Sequence, residues 1–310
     1  SNKLLPRNFT ATKKMMLIKK YMVGKEENAK YGIEVYDENY NKIWEDEITL
    51  PYSKKEFSLE KLRVTNEGDV IGLLKVKKEL GTLSLRLIKF SGNSYETIPI
   101  KLAGSVFSGE VIRLDLLPGR VVFQAWIHPK KFFAPDGIMM YTYDYNTWKE
   151  TNRDVQKFDA EMMSKVVNNS WHDESNGTIS AMGMRGAIPK KDGGYYMLAE
   201  KSIMDKTTRE SGYGTEKVTY LFYDLDIFVC SVDQHGNMDF MDVIPKFQMV
   251  SGGRNFLGRS SFSALVDEED KLHLFYIDHI ENNSNTGVGE KLKIMKNPSK
   301  GAIMHVEIND

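Results

Sequence analysis

The sequence predicts an all-β protein, a β-propeller of five to seven antiparallel blades, complete or incomplete and irregular, with one short inserted helix. Three observations carry that prediction. Strand-like segments recur from end to end with a turn signal after each, two turn-and-strand units repeat at nearly one displacement, and a single segment has helical spacing.

Runs rich in β-branched, aromatic and Leu residues lie at 32–36, 70–76, 82–89, 121–127, 217–232 and 272–277. Between them stand Glu67-Gly68-Asp69, Pro118-Gly119, Asp192-Gly193-Gly194, Gly236-Asn237 and Glu269-Asp270, all residues that favour turns. Grouping the strands gives five units, 14–50, 57–102, 107–150, 178–248 and 261–310, read as one domain over 1–310. The first unit looks one strand short. A ring in which one terminus completes the other's blade would remove exposed strand edges. The helix is expected over 154–168, where Val155, Phe158, Met162 and Val166 have helical spacing and Asp154 is placed to cap the start.

The repeat is the most informative feature. Residues 35–48 align with 231–244, placing Asp37 over Asp233, Asn41 over Asn237, Trp44 over Phe240 and Ile48 over Ile244. Residues 64–70 align with 266–272 at nearly the same offset. In the first pair each copy is a strand, a turn whose Asp can bond the backbone, and a strand opening with an aromatic; in the second pair a polar turn is followed by an apolar strand.

Composition excludes several classes. Over 310 residues, 41% hydrophobic and 27% charged content describes a chain able to bury a large core, and a net charge of −1 gives no global footprint for nucleic acid. Cys230 is the only cysteine, so no intrachain disulfide or thiolate zinc site can form, and its apolar flanks read as a buried strand interior. No apolar run reaches membrane-spanning length. The opening Ser1-Asn2 reads as a tag remnant, which leaves room for a native leader.

Metal and cofactor motifs fail where their chemistry is strict. Asp37-Glu38-Asn39-Tyr40-Asn41 opens like a calcium loop, but Lys42 and Ile48 occupy the positions that need Gly and a bidentate Glu. Gly212-Tyr213-Gly214 and Gly287–Lys291 lack the glycines of phosphate-binding loops. The six histidines are scattered singly, and no GxSxG elbow is present. Trp126, Trp148 and Trp171 read as packing residues rather than a sugar platform. No cofactor and no tightly bound metal are expected.

Polar residues that break apolar strands concentrate in the C-terminal half. Glu200 closes the run 195–200, Tyr223, Asp224 and Asp226 interrupt a strand, Lys246 and Gln248 follow Ile244-Pro245, and Asp278 precedes Asn282 and Asn283. Charges in such places are costly unless paired or near water. Either they lock blades together or they face a ligand, and Glu200, Asp224, Lys246, Gln248, Asp278 and Asn283 are the candidate binding residues.

Residues 223–237, 243–248, 274–283 and 33–50 together resemble an uncharacterised family of β-propeller-like proteins of Bacteroidetes. Its members pair Asp-x₆-Trp blades with a Pro-Lys-x-Gln segment and a late Asn-Asp-x-x-x-Asn segment; here Phe240 and Ile277 depart from that pattern. The resemblance implies an exported or envelope-associated bacterial protein and supplies no catalytic residues. The function expected is a non-catalytic binding or scaffold module that recognises a peptide, glycan or protein partner. The alternative is a glycoside-active enzyme using Glu200 and Asp224, since such chemistry needs two carboxyl groups flanking a cleft.

Overall fold

Alternating apolar residues and short turns fold the chain into antiparallel sheets of up-and-down strands. The computed structural model describes residues 3–7, 15–20, 27–53, 56–77, 83–102, 112–127, 135–162, 182–211, 215–252, 261–284 and 292–309. Sheet I holds β1 (Lys3–Arg7), β2 (Met15–Lys20), β3 (Asn28–Tyr36) and β4 (Lys42–Ser53). Sheet II holds β5 (Phe57–Val64), β6 (Val70–Lys77), β7 (Leu83–Ser91) and β8 (Ser94–Ile100). Sheet III holds β9 (Ile112–Leu117), β10 (Arg120–Ile127), β11 (Gly137–Asp144) and β12 (Lys149–Lys157). In sheet IV, β13 (Met182–Pro189), β14 (Tyr195–Ser211), β15 (Thr215–Val232) and β16 (Met238–Ile244) follow in order, and β17 (Gln248–Gly252) also pairs with β15. Sheet V holds β18 (Phe262–Val266), β19 (Leu272–His279) and β20 (Gly301–Ile308). Each of the five units expected from sequence falls in one antiparallel sheet, with β1, most of β12 and most of β17 lying outside the expected bounds.

The chain forms two compact units, Ser1–Leu102 with sheets I and II, and Ala103–Asp310 with sheets III to V. In the first, Ile33, Val35 and Leu50 of sheet I pack on Val64, Val70, Leu74, Ile88 and Phe90 of sheet II. In the second, sheet IV is covered on both faces. Because successive side chains alternate, Tyr195, Met197, Ala199, Phe228 and Cys230 meet Val122, Trp126, Ile138 and Met140 of sheet III. Their neighbours Tyr196, Leu198, Ile227 and Val229 meet Leu272, Leu274, Tyr276 and Met304 of sheet V. Burial on both faces explains why these strands read as near-continuous apolar runs. Trp126 and Trp148 are buried, while Trp171 lies outside the described residues. Burial pushes the Cys230 thiol well above its usual range, which leaves it inert.

The aligned turns have matching backbones. In both 37–41 and 233–237 the first residue's N–H donates to the fifth residue's carbonyl at 2.9 Å, and the fourth residue's N–H donates to the first residue's carbonyl at 3.1 Å. Asp37 Oδ1 accepts the N–H groups of Asn39 and Asn41, and Asp233 Oδ1 those of His235 and Asn237, all at 2.8 Å. Tyr40 and Gly236 take the left-handed conformation at the fourth place. Both turns join the third and fourth strands of their sheets, and both have a register shift in the ladder just before them, at Val35/Tyr36 and at Ser231/Val232. Turns 65–69 and 267–271 join first to second strands by the same backbone pattern. Where the aligned aromatic differs, a substitute donor is present. Trp44 Nε1 donates to Gly68 O at 2.8 Å, whereas Phe240 has no such group and the Tyr196 hydroxyl donates to Asp270 O at 3.0 Å.

Two expectations are corrected. Asp154 and Val155 belong to β12, not to a helix; helical structure begins at Ala160, with Asp159 Oδ1 accepting the Met162 N–H at 2.7 Å. Phe158 and Met162 do pack on the sheet III–IV core, which accounts for their apolar character. Residues 163–168 of that segment, Gly212–Gly214 and Gly287–Lys291 lie outside the described residues. The first unit is not one strand short, because β1 pairs with β2 in register from Lys3↔Lys20 to Arg7↔Met16. Pro6, which has no N–H to give, suits that edge position.

Candidate functional site

The polar residues of sheet IV are drawn inside by two irregularities of the ladder. Glu200 on β14 stands opposite Ile227, but Ser202 stands opposite Asp224, so Leu225 and Asp226 together face Lys201. This bulge separates two halves of β15: Ile227–Val232 pairs with β16 and Tyr220–Asp224 with β17. Pro245, Lys246 and Phe247 cross the gap between those partners. Pro245 has no N–H, and the other two turn theirs to carboxylates instead of carbonyls, Lys246 N–H to Asp226 Oδ1 and Phe247 N–H to Asp278 Oδ2, each at 3.4 Å.

The Lys246 side chain then enters the interior. Its Nζ donates to Glu200 Oε1 and, at 2.9 Å, to Gln248 Oε1, while Gln248 Nε2 donates to the Ile277 carbonyl. Glu200 Oε2 accepts from Arg185 Nη2 and, at 2.9 Å, from Ser261 Oγ. Glu200 and Lys246 are 0% and 1% exposed. Arg185 reaches this carboxylate because β13 is bulged there: Met184 faces Ala199, Gly186 faces Leu198, and Arg185 is the extra residue between them.

Asp224 joins through the rim. Ser202 Oγ donates to Asp224 Oδ1 and accepts from Arg185 Nη2, both at 3.1 Å, while Asp224 Oδ2 is buried with no hydrogen-bond partner among the described residues. Burial, and after it the charge of Glu200, push the Asp224 carboxyl up from its ordinary value. Burial also pushes Asp278 up, against hydrogen bonds from Asn282 and from the His279 and Phe247 amides. Asp226 is pushed up to about 7 by burial, with Lys201 pulling the other way. Arg185, with its side chain 36% exposed, and the half-buried Ser202 and Ser261 form the accessible edge of this cluster.

Among the nominated residues, Glu200, Lys246 and Gln248 are directly bonded, Asp224 is joined through Ser202 and Arg185, and Asp278 through the Phe247 amide. Asn283 is not brought in. It is exposed on the 3₁₀ turn Ile280–Ser284, and Asn282 takes the buried place, exchanging hydrogen bonds with the Lys293 backbone at 2.9 and 2.8 Å. Arg185, Lys201, Ser202 and Ser261 were missed. Lys201 had a signal, as a second charge closing the same apolar run; Arg185 depends on a bulge that no spacing announces.

The first strands of the C-terminal sheets lie side by side, with β13 beside both β9 and β18. On β9, Arg113 Nε donates to both oxygens of Asp115 at 2.9 Å. Among the described residues, no group of His, Cys, Asp and Glu is arranged to hold a metal ion, and no helix is long and apolar enough to cross a membrane.

No protein-family model matches the chain, and no curated protein matches it. Among solved structures it is similar to the apocarotenoid oxygenase of Synechocystis, with a TM-score of 0.39 and 8% identity over 98% of this chain and 64% of that one. It is also similar to a xylan β-1,4-xylosidase from Bacillus halodurans, with a TM-score of 0.32 and 10% identity over 85% of this chain and 47% of that one. A third is RS223-β-xylosidase, with a TM-score of 0.31 and 9% identity over 99% and 91% of the two chains. The chain spans less than two thirds of the oxygenase's length.

Proposed function

We propose that the five sheets are the blades of a propeller-like fold, and that the protein is a non-catalytic binding or scaffold module of the bacterial envelope. Its partner is a peptide, glycan or protein held at the edge formed by Arg185, Ser202 and Ser261. Two features of the C-terminal unit support the blade reading: sheet IV is buried on both faces, and the first strands of sheets III, IV and V run together. The observation that carries the binding reading is the commitment of Glu200. Glu200 is fully buried and both of its oxygens accept from the protein, one from Lys246 and the other from Arg185 and Ser261, which commits it to internal partners rather than to a substrate.

The enzymatic alternative draws on one feature, the neighbouring carboxyl Asp224 pushed toward its neutral form while Glu200 is held by cations, a division of roles found in glycosidases. The two separate in one experiment. Arrays of glycans and peptides are probed with the wild type and with Ser202→Trp, which fills the edge, and nitrophenyl glycosides are assayed in parallel. We expect retention of at least one class by the wild type, at least tenfold weaker retention by the variant, and no turnover. Turnover abolished by Asp224→Asn would replace this reading with the enzymatic one.

A further inference from the structure

The structure assigns a carboxylate-binding site to the wall shared by β9 and β13, with Arg113 and Arg185 as the two guanidinium groups that receive the anion. The inference rests on the binding reading above and names the chemistry of the ligand. A Cβ placed on Gly186 would lie 3.2 Å from Arg113 Nη2 and 3.7 Å from its Cζ, so the guanidinium of Arg113 lies against the backbone of the residue that follows Arg185. Glycine at 186 is what leaves room for the Arg113 guanidinium beside the backbone that follows Arg185. The bulge that turns Arg185 toward Glu200 includes this same glycine.

Each guanidinium is anchored by part of its donor set and keeps the rest. Arg113 gives only Nε to Asp115, and Arg185 gives only Nη2, to Glu200 and Ser202. Nη1 and Nη2 of Arg113, and Nε and Nη1 of Arg185, have no partner among the described residues. The two side chains are 27% and 36% exposed, while the carboxylates that anchor them are 10% and 0% exposed. Anchoring of this kind lowers the conformational cost of presenting a planar fork, and a free fork edge matches the two oxygens of a carboxylate. Asp115, Glu200 and Lys246 are buried, so the charges that meet solvent at this wall are the partly exposed guanidinium groups of Arg113 and Arg185. An added carboxylate therefore meets cationic donors. A uronic acid residue and an acidic side chain of a peptide both present this group.

Titration calorimetry with sodium glucuronate and with N-acetylglutamate α-methylamide, each against its uncharged counterpart, glucose or N-acetylglutamine α-methylamide, tests the site and tells the two sources apart. We expect at least one carboxylate probe to bind at least tenfold more tightly than its counterpart, with affinity falling as salt is added. Arg113→Gln should weaken that binding at least tenfold. Arg185→Lys, which keeps a cation beside Glu200 but not the fork, should do the same with an unchanged unfolding midpoint. Binding of glucuronate alone assigns a saccharide, and binding of the N-acetylglutamate α-methylamide alone assigns a peptide. Equal binding of a carboxylate and its uncharged counterpart overturns the inference and leaves the binding reading in place. So does full affinity in Arg113→Gln, or the absence of carboxylate binding by a wild type that still retains an array ligand.

Discussion

Replacing Lys246 with Met is expected to lower the unfolding free energy by about 3–5 kcal/mol, the range for removing one partner of a buried ion pair. The mechanism is the orphaned partner. Glu200 is 0% exposed and would keep only Arg185 and Ser261, and Gln248 Oε1 would lose its donor. Met fills most of the lysine's volume, so the loss would report charge and hydrogen bonding more than a cavity. Urea denaturation at pH 7 measures it, as a lower midpoint with the slope unchanged. A change within about 0.5 kcal/mol, as for an ordinary surface substitution, would mean that Lys246 does not lock the sheet.

The second large effect is on pH dependence. Asp226 has its folded pKa raised from 3.8 to about 7, so between those values the native state holds a proton that the unfolded state has released. Stability therefore falls as pH rises from about 4 to 7, by on the order of 4 kcal/mol for this residue. Asp224 and Asp278 are shifted in the same direction and steepen the fall. Asp267 works at the other end. The His273 hydrogen bond lowers its pKa to about 2, so its contribution is present above about 4 and is lost as pH falls toward 2. Maximum stability is expected near pH 4–5. In Asp226→Asn the unfolding free energy should change less between pH 4 and 8 than in the wild type, and the variant should be the more stable of the two at pH 8. Parallel wild-type and variant profiles would show that Asp226 is ionised in both states.

Much of this architecture could be read before any coordinates, because strand and turn chemistry is local. Asp37 and Asp233 specify the same turn through their own side chains, so an alignment of the two segments is an alignment of backbones. What the sequence hid depends on context. Phe158 and Met162 have helical spacing because a strand end and the helical turn after it both face one core, which mimics a single longer helix. β1 is a five-residue edge strand containing Pro, and its pairing with β2 has no signature in the residues themselves.

The candidate site was legible where charge interrupts apolar runs, as at Glu200, Asp224 and Lys246, since such charges must be paired or wet. Its partners were not. Arg185 is aimed by a bulge, and the choice of Asn282 over Asn283 turns on the 3₁₀ geometry of 280–284. The Phe247 amide that links Asp278 to the cluster is freed only because Pro245 to Phe247 cross between two strands.

A double-mutant cycle on Glu200 and Lys246 tests most directly whether this pair is an interior lock beneath a binding wall. Unfolding free energies are measured at pH 7 for Glu200→Gln, Lys246→Met and the two combined. The account predicts a loss of about 3–5 kcal/mol in each single variant, and a double variant less destabilised than the sum of the singles by at least about 2 kcal/mol, because removing both charges leaves neither stranded. Single losses that simply add would contradict it.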